Sequence, residues 1–289
     1  MFRLAYNTNG LAHHRPLDAL RLLAEVGYEG VALTPDAGFL DPFEVSRGEL
    51  LEARRWADDL GLDLSVETGA RFLLDARAKH RPNLMDVDPA ARKRRVEFLL
   101  RCLAQAHILG ADVLSLWAGG EDEGQTLESQ ELAPGRVEEL LERLASGLLP
   151  VLERGRELGV RVAFEPEPGM FIERPAGYGQ LVEYMGSDAA DLGLCLDVGH
   201  LVVTGDLPVG REIERWADRL IHVHLDDALP GIHEHLMFGQ GELDLAATLK
   251  ALVDVGYKGL AAVELSRDSH RGPTAAGEAL ERLRNALRT

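Results

Sequence analysis

The segment LGVRVAFEPE, residues 158–167, contains the type of junction that decides the fold of this chain. A leucine-rich, helix-like stretch ends at Gly159, and an apolar run with strand character follows at once. Glycine just past a helix adopts the left-handed conformation that ends the helix and releases the chain into the next strand. The run then closes on Glu165, so the segment predicts a helix-to-strand junction with a carboxylate at the strand end.

The same junction recurs along the chain, which indicates a regular alternation of helices and strands. Related segments are EVGYEGVAL at 25–33, LGLDLSV at 60–66, LGADVLSL at 109–116 and DVGYKGLAAVE at 254–264. Further strands are predicted at 4–7, 192–197 and 220–225, and helical patterns lie at 17–26, 48–59, 90–109, 136–157, 176–185, 209–217, 244–255 and 275–288. This alternation predicts α/β architecture, a single (β/α)8 TIM barrel over residues 1–289, with a doubly wound open sheet as the alternative.

Side chains that can bind a divalent metal stand at the ends of the last four predicted strands. They are Glu165, Asp197, His224 and Glu264. Successive side chains of a strand point to opposite faces, and each of these four shares the face away from the bulkier hydrophobic residues. In a barrel that face is the interior. A single acidic residue at a strand end more often caps a helix or forms an ion pair, but four with the same orientation predict a metal site.

The predicted ligands, three carboxylates and one imidazole, suit Mn, Mg, Co or Zn, and we expect one divalent ion per chain. Such an ion can hold a carbonyl and a neighbouring hydroxyl oxygen and stabilise the charge that forms when the α proton leaves. Glu165 and Glu264 come from different strands, so one could remove the proton and the other return it. This chemistry predicts isomerisation or epimerisation of a small sugar or polyol, with loss of water as the alternative.

The motifs FEPEPG, LDVGH, HVHLDD, GQGELD and VELS resemble those of the xylose isomerase-like TIM-barrel superfamily of sugar isomerases and epimerases, which also contains inosose dehydratases and endonuclease IV-type enzymes. In its ketose 3-epimerase branch, the residues that match the four predicted ligands hold one divalent metal, and the two glutamates act as acid and base. The resemblance further implies that His200 contacts substrate. Phe171 and Pro230 replace a substrate-binding glutamate and arginine of that branch, which leaves the reaction open.

Four residues are predicted to face the substrate: His200, Trp117, Glu67 and Arg71. Glu67 and Trp117 stand at strand ends that precede long loops, and the indole could cover an apolar face of a sugar. Arg71, together with Lys79, could bind a phosphate or carboxylate on the substrate. Packing for the tryptophan and simple solvation for the cations are the alternatives.

His233 and His235 precede the GQG motif and resemble a metal-binding pair of the endonuclease branch. Loop histidines at this spacing are more often solvated, and a second metal ion at this pair is the alternative. His222 shares the inward face of its strand with His224 but lies one layer deeper. We therefore expect it to be a core or supporting imidazole and not a ligand.

Three long connections, at 68–88, 118–133 and 226–241, would lie on the catalytic face of a barrel. Long connections without structure of their own are often functional. We predict that they form lids and substrate walls.

Composition narrows the range of partners and compartments. With 48 acidic and 31 basic residues the net charge is −17, which opposes binding to nucleic acid and to anionic membranes. The two cysteines, Cys102 and Cys195, imply no disulfide framework, and neither a signal peptide nor an apolar run of membrane-spanning length is present. We expect a cytoplasmic protein whose partner is a small sugar or polyol, with homo-oligomer formation left open.

The leading hypothesis is a divalent-metal-dependent isomerase or epimerase of a sugar or sugar phosphate. A keto-sugar or keto-inositol dehydratase on the same site is the first alternative. A barrel that binds metal or sugar without turnover is the second. An endonuclease IV-type phosphodiesterase ranks last, because its three-metal ligand set is incomplete here.

Overall fold

The computed structural model describes residues 1–121, 126–127 and 134–288, and within these residues the chain forms a closed barrel of parallel strands. The barrel strands are β1 (Arg3–Asn7), β2 (Gly30–Leu33), β3 (Asp63–Glu67), β4 (Val113–Leu116), β5 (Arg161–Phe164), β6 (Leu192–Asp197), β7 (Leu220–Leu225) and β10 (Leu260–Val263). Strands β8 (Asp227–Leu229) and β9 (Ile232–Leu236) form a separate antiparallel hairpin. The ring closes where β1 pairs with β10. This confirms the predicted barrel and excludes the open sheet.

Helices surround the barrel close to the predicted positions. They are α1 (Pro16–Val26), α2 (Arg47–Leu60), α3 (Pro89–Leu109), α4 (Pro134–Leu158), α5 (Pro175–Met185), α6 (Val198–Thr204), α7 (Val209–Trp216), α8 (Leu245–Asp254) and α9 (Gly272–Ala286). The short helix α6 was not predicted. Its sequence, VGHLVVT, is a brief apolar run, and periodicity cannot distinguish such a run from a strand.

Two junction glycines illustrate how the helices end. Gly61 and Gly110 adopt φ values of 69° and 74°, and their backbone N–H groups donate to the last turns of α2 and α3. A residue with a Cβ atom would be strained in this left-handed conformation. The glycines therefore turn each helix directly into the next strand, as the sequence predicts.

The main hydrophobic core lies outside the barrel, between the strands and the helices. Outward strand residues such as Val31, Leu114 and Val223 belong to the same buried cluster as Phe98 of α3 and Leu252 of α8. The barrel interior contains two small separate clusters, Ala5, Ala32, Leu260 and Ala262 on one side and Val113, Ala163 and Cys195 on the other. Branched, bulky side chains usually fill such a barrel. The small residues leave room for polar side chains near the axis.

The connection after β7 contains the β8–β9 hairpin, whereas the sequence suggested a loop without structure of its own. The Asp227 carboxylate accepts hydrogen bonds from the backbone N–H groups of Gly239 at 2.7 Å, Gly241 at 2.9 Å and Leu243 at 2.9 Å. One buried side chain thus fixes the return segment, and β9 carries His233 and His235 beside the strand ends.

Most of the predicted lid at 118–133 lies outside the described residues. The connection at 68–88 is described throughout, and Asn83 of that connection donates to the Gly120 carbonyl oxygen. Within the described part of the chain, no helix combines the length and apolar character needed to cross a bilayer.

Candidate metal centre

The structure brings the four predicted ligands together at the carboxyl ends of their strands. Ligand atoms of Glu165, Asp197, His224 and Glu264 all lie within 4.8 Å of one another. Nδ1 of His224 is 2.8 Å from Glu165 Oε1 and 3.0 Å from Glu264 Oε2. Sheet hydrogen bonding continues into this layer, because the N–H groups of Glu165 and Glu264 donate to the carbonyl oxygens of Leu116 and Leu225. The barrel thus orients all four side chains inward.

Asp197 combines a structural contact with a free acceptor. Its Oδ1 accepts from the backbone N–H of His200 at 2.9 Å and caps helix α6. Its Oδ2 is buried and has no hydrogen-bond partner among the described residues. That oxygen lies 3.9 Å from Nδ1 of His224. Buried polar atoms are rarely left without a partner, so this oxygen fits a cation bound between the four side chains.

The charges of the cluster also fit a cation. Burial raises the pKa of Glu165, an effect that His224 opposes and the neighbouring Glu264 reinforces. Carboxylates that share a buried site repel one another unless a positive charge lies between them. Three carboxylates and one imidazole nitrogen form a donor set that a divalent ion accepts.

Behind this cluster, Glu67 contacts the far side of the His224 ring. Glu67 Oε2 lies 3.2 Å from His224 Nε2, and Glu67 Oε1 lies 2.9 Å from His222 Nε2. The Ser115 hydroxyl also donates to Glu67 Oε2. The sequence predicts that Glu67 contacts substrate; in the structure it lines the cavity above this cluster, and both of its oxygens accept from protein groups. His222 is buried one layer deeper than His224.

A second group of side chains lies beside the predicted metal ligands. His200 Nε2 is 3.1 Å from His233 Nε2, and His233 Nε2 is 3.5 Å from Glu167 Oε1. His200 donates through Nδ1 to the Pro166 carbonyl oxygen at 3.1 Å, so in the neutral ring Nε2 carries the lone pair. Ligand atoms of His200, His233 and His235 lie within 4.8 Å of one another.

Two acidic residues of this region were not identified from the sequence. Glu167 shares the inward parity of Glu165 two residues on, and this parity was the available signal. Asp226, in the HVHLDD motif, lies 2.6 Å from His235 Nδ1. Such a contact fixes the imidazole tautomer and leaves Nε2 of His235 available toward the cavity. The contact between Asp226 and His235 of β9 depends on the hairpin, so the sequence gives no local signal of it.

A cavity of about 440 Å³ opens above both groups. Its lining includes three of the predicted ligands and, among the residues expected near substrate, Glu67, Trp117, Arg71 and Lys79. Trp117 is held between His80, with ring centroids 5.4 Å apart, and the Arg95 guanidinium 4.3 Å from the indole centre. Arg71 pairs with Asp36 at 3.0 Å. Four residues missed by the sequence reasoning, Asn7, Asn9, Thr34 and Ser266, complete the polar wall.

A closed (β/α)8 barrel with a cluster of histidines and carboxylates at the carboxyl ends of its strands defines the class of this protein. The chain belongs to the xylose isomerase-like TIM-barrel family, whose profile matches residues 20–286. This confirms the resemblance drawn from the motifs.

Relatives with curated descriptions include sugar epimerases and a dehydratase. The chain is 27% identical over 181 residues to an inosose dehydratase of Lacticaseibacillus casei, covering 56% of this chain and 60% of that protein. It is 26% identical over 266 residues to an L-ribulose-5-phosphate 3-epimerase of Shigella flexneri, covering 90% of this chain and 85% of that protein. The match thus spans less than two thirds of the dehydratase but most of the epimerase.

Solved structures support the fold. A structure of L-ribulose 3-epimerase superposes with a TM-score of 0.76 at 22% identity and covers 100% of this chain and 96% of its own. The 3-keto-D-glucoside 4-epimerase of E. coli gives a TM-score of 0.76 at 17% identity, with 99% and 100% covered. At sequence identities this low, the structural similarity shows that the proteins share the barrel architecture.

Proposed function

We propose that this protein is a divalent-metal-dependent isomerase or epimerase of a sugar, sugar phosphate or polyol. The observation that carries the proposal is the cluster of Glu165, Asp197, His224 and Glu264, with the unpartnered oxygen of Asp197 among them. These four residues would hold one ion of Mn, Mg, Co or Zn. When bound, the ion would polarise a substrate carbonyl and stabilise the charge that develops beside it.

The glutamates perform the proton transfers in this proposal. Glu165 directly follows β5 and Glu264 directly follows β10, with two strands between them around the barrel, so their carboxylates face the cavity from different positions on its rim. One removes a proton from the carbon next to the carbonyl, and the other returns a proton to the opposite face. Asn9 donates to Glu264 Oε1 at 2.7 Å and thereby orients this carboxylate.

The cavity wall provides the substrate contacts. We assign His200, Trp117 and Arg71 to substrate binding, with the indole against an apolar sugar face and the guanidinium near an anionic or hydroxyl group. Glu67 would act on the substrate indirectly, through His222, His224 and Ser115, which it contacts.

A dehydratase on the same site is the second candidate function. Phe171, at the position of the substrate-binding glutamate of ketose 3-epimerases, has a buried hydrocarbon side chain and so offers no hydrogen bond to a sugar. Similarity to an inosose dehydratase also favours this candidate. Loss of a β-hydroxyl after removal of the same α proton would convert the isomerase chemistry into elimination of water.

A second ion is proposed at His233 and His235. Nε2 atoms of His200 and His233 point at each other at 3.1 Å, and Glu167 adds a carboxylate on the same side. Without an ion one of these rings can donate to the other, and a cation bound between them would take the place of that hydrogen. Titration of the His233→Ala variant with Mn or Zn tests this site. We expect the variant to bind one ion where the unaltered chain binds two.

The decisive experiment for the main proposal is turnover in heavy water. Metal-loaded protein is incubated with a panel of ketoses, ketose phosphates and keto-inositols, and products are identified by NMR. An isomer that carries deuterium on the carbon next to the carbonyl supports the isomerase or epimerase. Net loss of water supports the dehydratase. Ion binding without conversion of any panel member supports a barrel that binds without turnover.

A further inference from the structure

The carboxylate behind the metal-site histidine has a more defined role than substrate contact. Glu67, His222 and His224 are 5%, 1% and 1% exposed, so they lie at the buried floor of the cavity that Glu67 and His224 line. Glu67 lies 3.2 Å from Nε2 of His224, on the side of the ring opposite Glu165 and Glu264. One imidazole thus connects the ligand cluster with a second carboxylate.

The two nitrogens of that imidazole face different carboxylates. Nδ1 lies within hydrogen-bond distance of Glu165 Oε1 at 2.8 Å, and Nε2 lies 3.2 Å from Glu67 Oε2. Nδ1 also lies 3.0 Å from Glu264 Oε2, so an ion bound by these glutamates would take the lone pair of Nδ1. The ring hydrogen would then be on Nε2, where an ionised Glu67 can accept it.

Glu67 is itself held by protein donors. His222 Nε2 lies 2.9 Å from its Oε1, and the Ser115 hydroxyl donates to its Oε2. The small interior residues Ala163 and Ala262 leave space near the axis for the His222 ring. Both oxygens of this carboxylate therefore face protein donors. The contacts fit an orienting role.

We propose that Glu67, held by Ser115 and His222, is a positioning residue that keeps His224 in the tautomer able to bind the divalent ion and strengthens its basicity. The inference rests on the proposed metal site and deepens it. A carboxylate that receives the second N–H of a ligating histidine typically contributes about 10- to 100-fold to metal affinity.

The test compares ion affinity in matched variants after chelator treatment. Co²⁺ titration is followed by calorimetry and by the visible absorption of the bound ion, which reports its ligand geometry. Glu67→Gln keeps the shape but removes the charge, and we expect affinity to fall about 10- to 100-fold with an altered spectrum. Glu138→Gln, an exposed change on α4, is the control and leaves affinity unchanged.

Two variants of His222 separate orientation from packing. His222→Gln keeps a donor near the position of Nε2 and is expected to retain most of the affinity, whereas His222→Leu removes the donor and resembles Glu67→Gln. Ser115→Ala removes only one donor and should produce a smaller loss. Unfolding temperatures of the metal-free variants establish whether each one is folded. If Glu67→Gln or His222→Leu does not fold, the test relies on Ser115→Ala and His222→Gln.

The outcomes distinguish the inference from the proposed function. Absence of Co²⁺ binding by the unaltered chain overturns both. Binding by the unaltered chain with equal affinity and spectrum in Glu67→Gln and His222→Leu overturns the positioning role alone. A graded loss in the order Ser115→Ala, His222→Leu, Glu67→Gln, with retention in His222→Gln, supports it.

Discussion

Asp197 shows how one residue can satisfy a structural and a chemical requirement together. The sequence alone offered helix capping and metal binding as competing interpretations. In the structure one oxygen caps α6, and the other is buried without a partner among the described residues. A carboxylate has two oxygens with separate directions, so the two interpretations do not exclude each other.

Removal of a proposed ligand should remove the ion. We expect Asp197→Ala and His224→Ala to lose most of the ion at the four proposed ligands, about one equivalent per chain apart from any ion at His233 and His235, because three ligands from rigid strands cannot rearrange to replace the fourth. Elemental analysis after gentle purification and Mn titration measure this. Asp188→Ala and His270→Ala, both at exposed positions, are controls that keep the metal. Full occupancy in the ligand variants would contradict the site.

Glutamine in place of either proposed acid–base residue should slow turnover. Glu165→Gln and Glu264→Gln keep the side-chain shape but cannot accept the carbon-bound proton, so we expect kcat to fall by about 10² to 10⁴. Each glutamate is also a proposed ligand, so metal content is measured in the same samples. Unchanged kcat at full metal occupancy in both variants would show that these carboxylates do not move the proton.

At the scale of elements, the β8–β9 hairpin is the feature that distinguishes this site from a bare set of strand ends. Asp227 accepts three backbone N–H groups and fixes the segment that follows the hairpin. The hairpin in turn places His235 against Asp226 and His233 against His200. The geometry of the second histidine group therefore depends on one turn.

Gly241→Ala is expected to disturb this hairpin. A Cβ atom there would lie 2.2 Å from the Ala228 carbonyl oxygen and 2.4 Å from Asp227 Oδ1. The backbone must shift to relieve the overlap, and we expect the free energy of unfolding to fall by about 1–3 kcal/mol. Denaturant unfolding measures the change. Gly277→Ala in α9, where a Cβ meets nothing within 4 Å, should instead leave stability unchanged or raise it.

At the scale of the whole molecule, a bound ion links the site to global stability. Its ligands come from β5, β6, β7 and the end of β10, so binding favours the closed barrel over the unfolded chain. At 100 times the dissociation constant, an ion adds about 2.7 kcal/mol. We expect the unfolding temperature to rise by several degrees with Mn or Co in calorimetry, and this rise should vanish in His224→Ala. An equal rise in that variant would place the ion elsewhere.

The net charge of −17 supports a further prediction for the intact protein. An acidic surface repels a phosphate backbone, so a duplex with an abasic site should remain intact in the presence of metal-loaded protein. Gel electrophoresis of a labelled duplex measures nicking. Efficient nicking that disappears in the His233→Ala variant would overturn the prediction and promote the phosphodiesterase function.

Much of the architecture follows from local sequence signals. Glycines after helices, apolar strand runs and helical periodicity predicted the barrel, because each signal depends on residues close in the chain. The inward parity of Glu165, Asp197, His224 and Glu264 follows from strand geometry in the same way. The sequence therefore contained the four proposed ligands and the family.

Tertiary structure alone decided which side chains share a hydrogen bond across the barrel. Glu67 lies 155 residues from His222, and the two meet only because β3 and β7 face each other across an interior of small residues. His233 meets His200 only because a hairpin forms between β7 and α8. Such contacts depend on closure of the barrel and on the geometry of the hairpin turn, which are properties of the folded chain. Neighbouring residues in the sequence carry no signal of them.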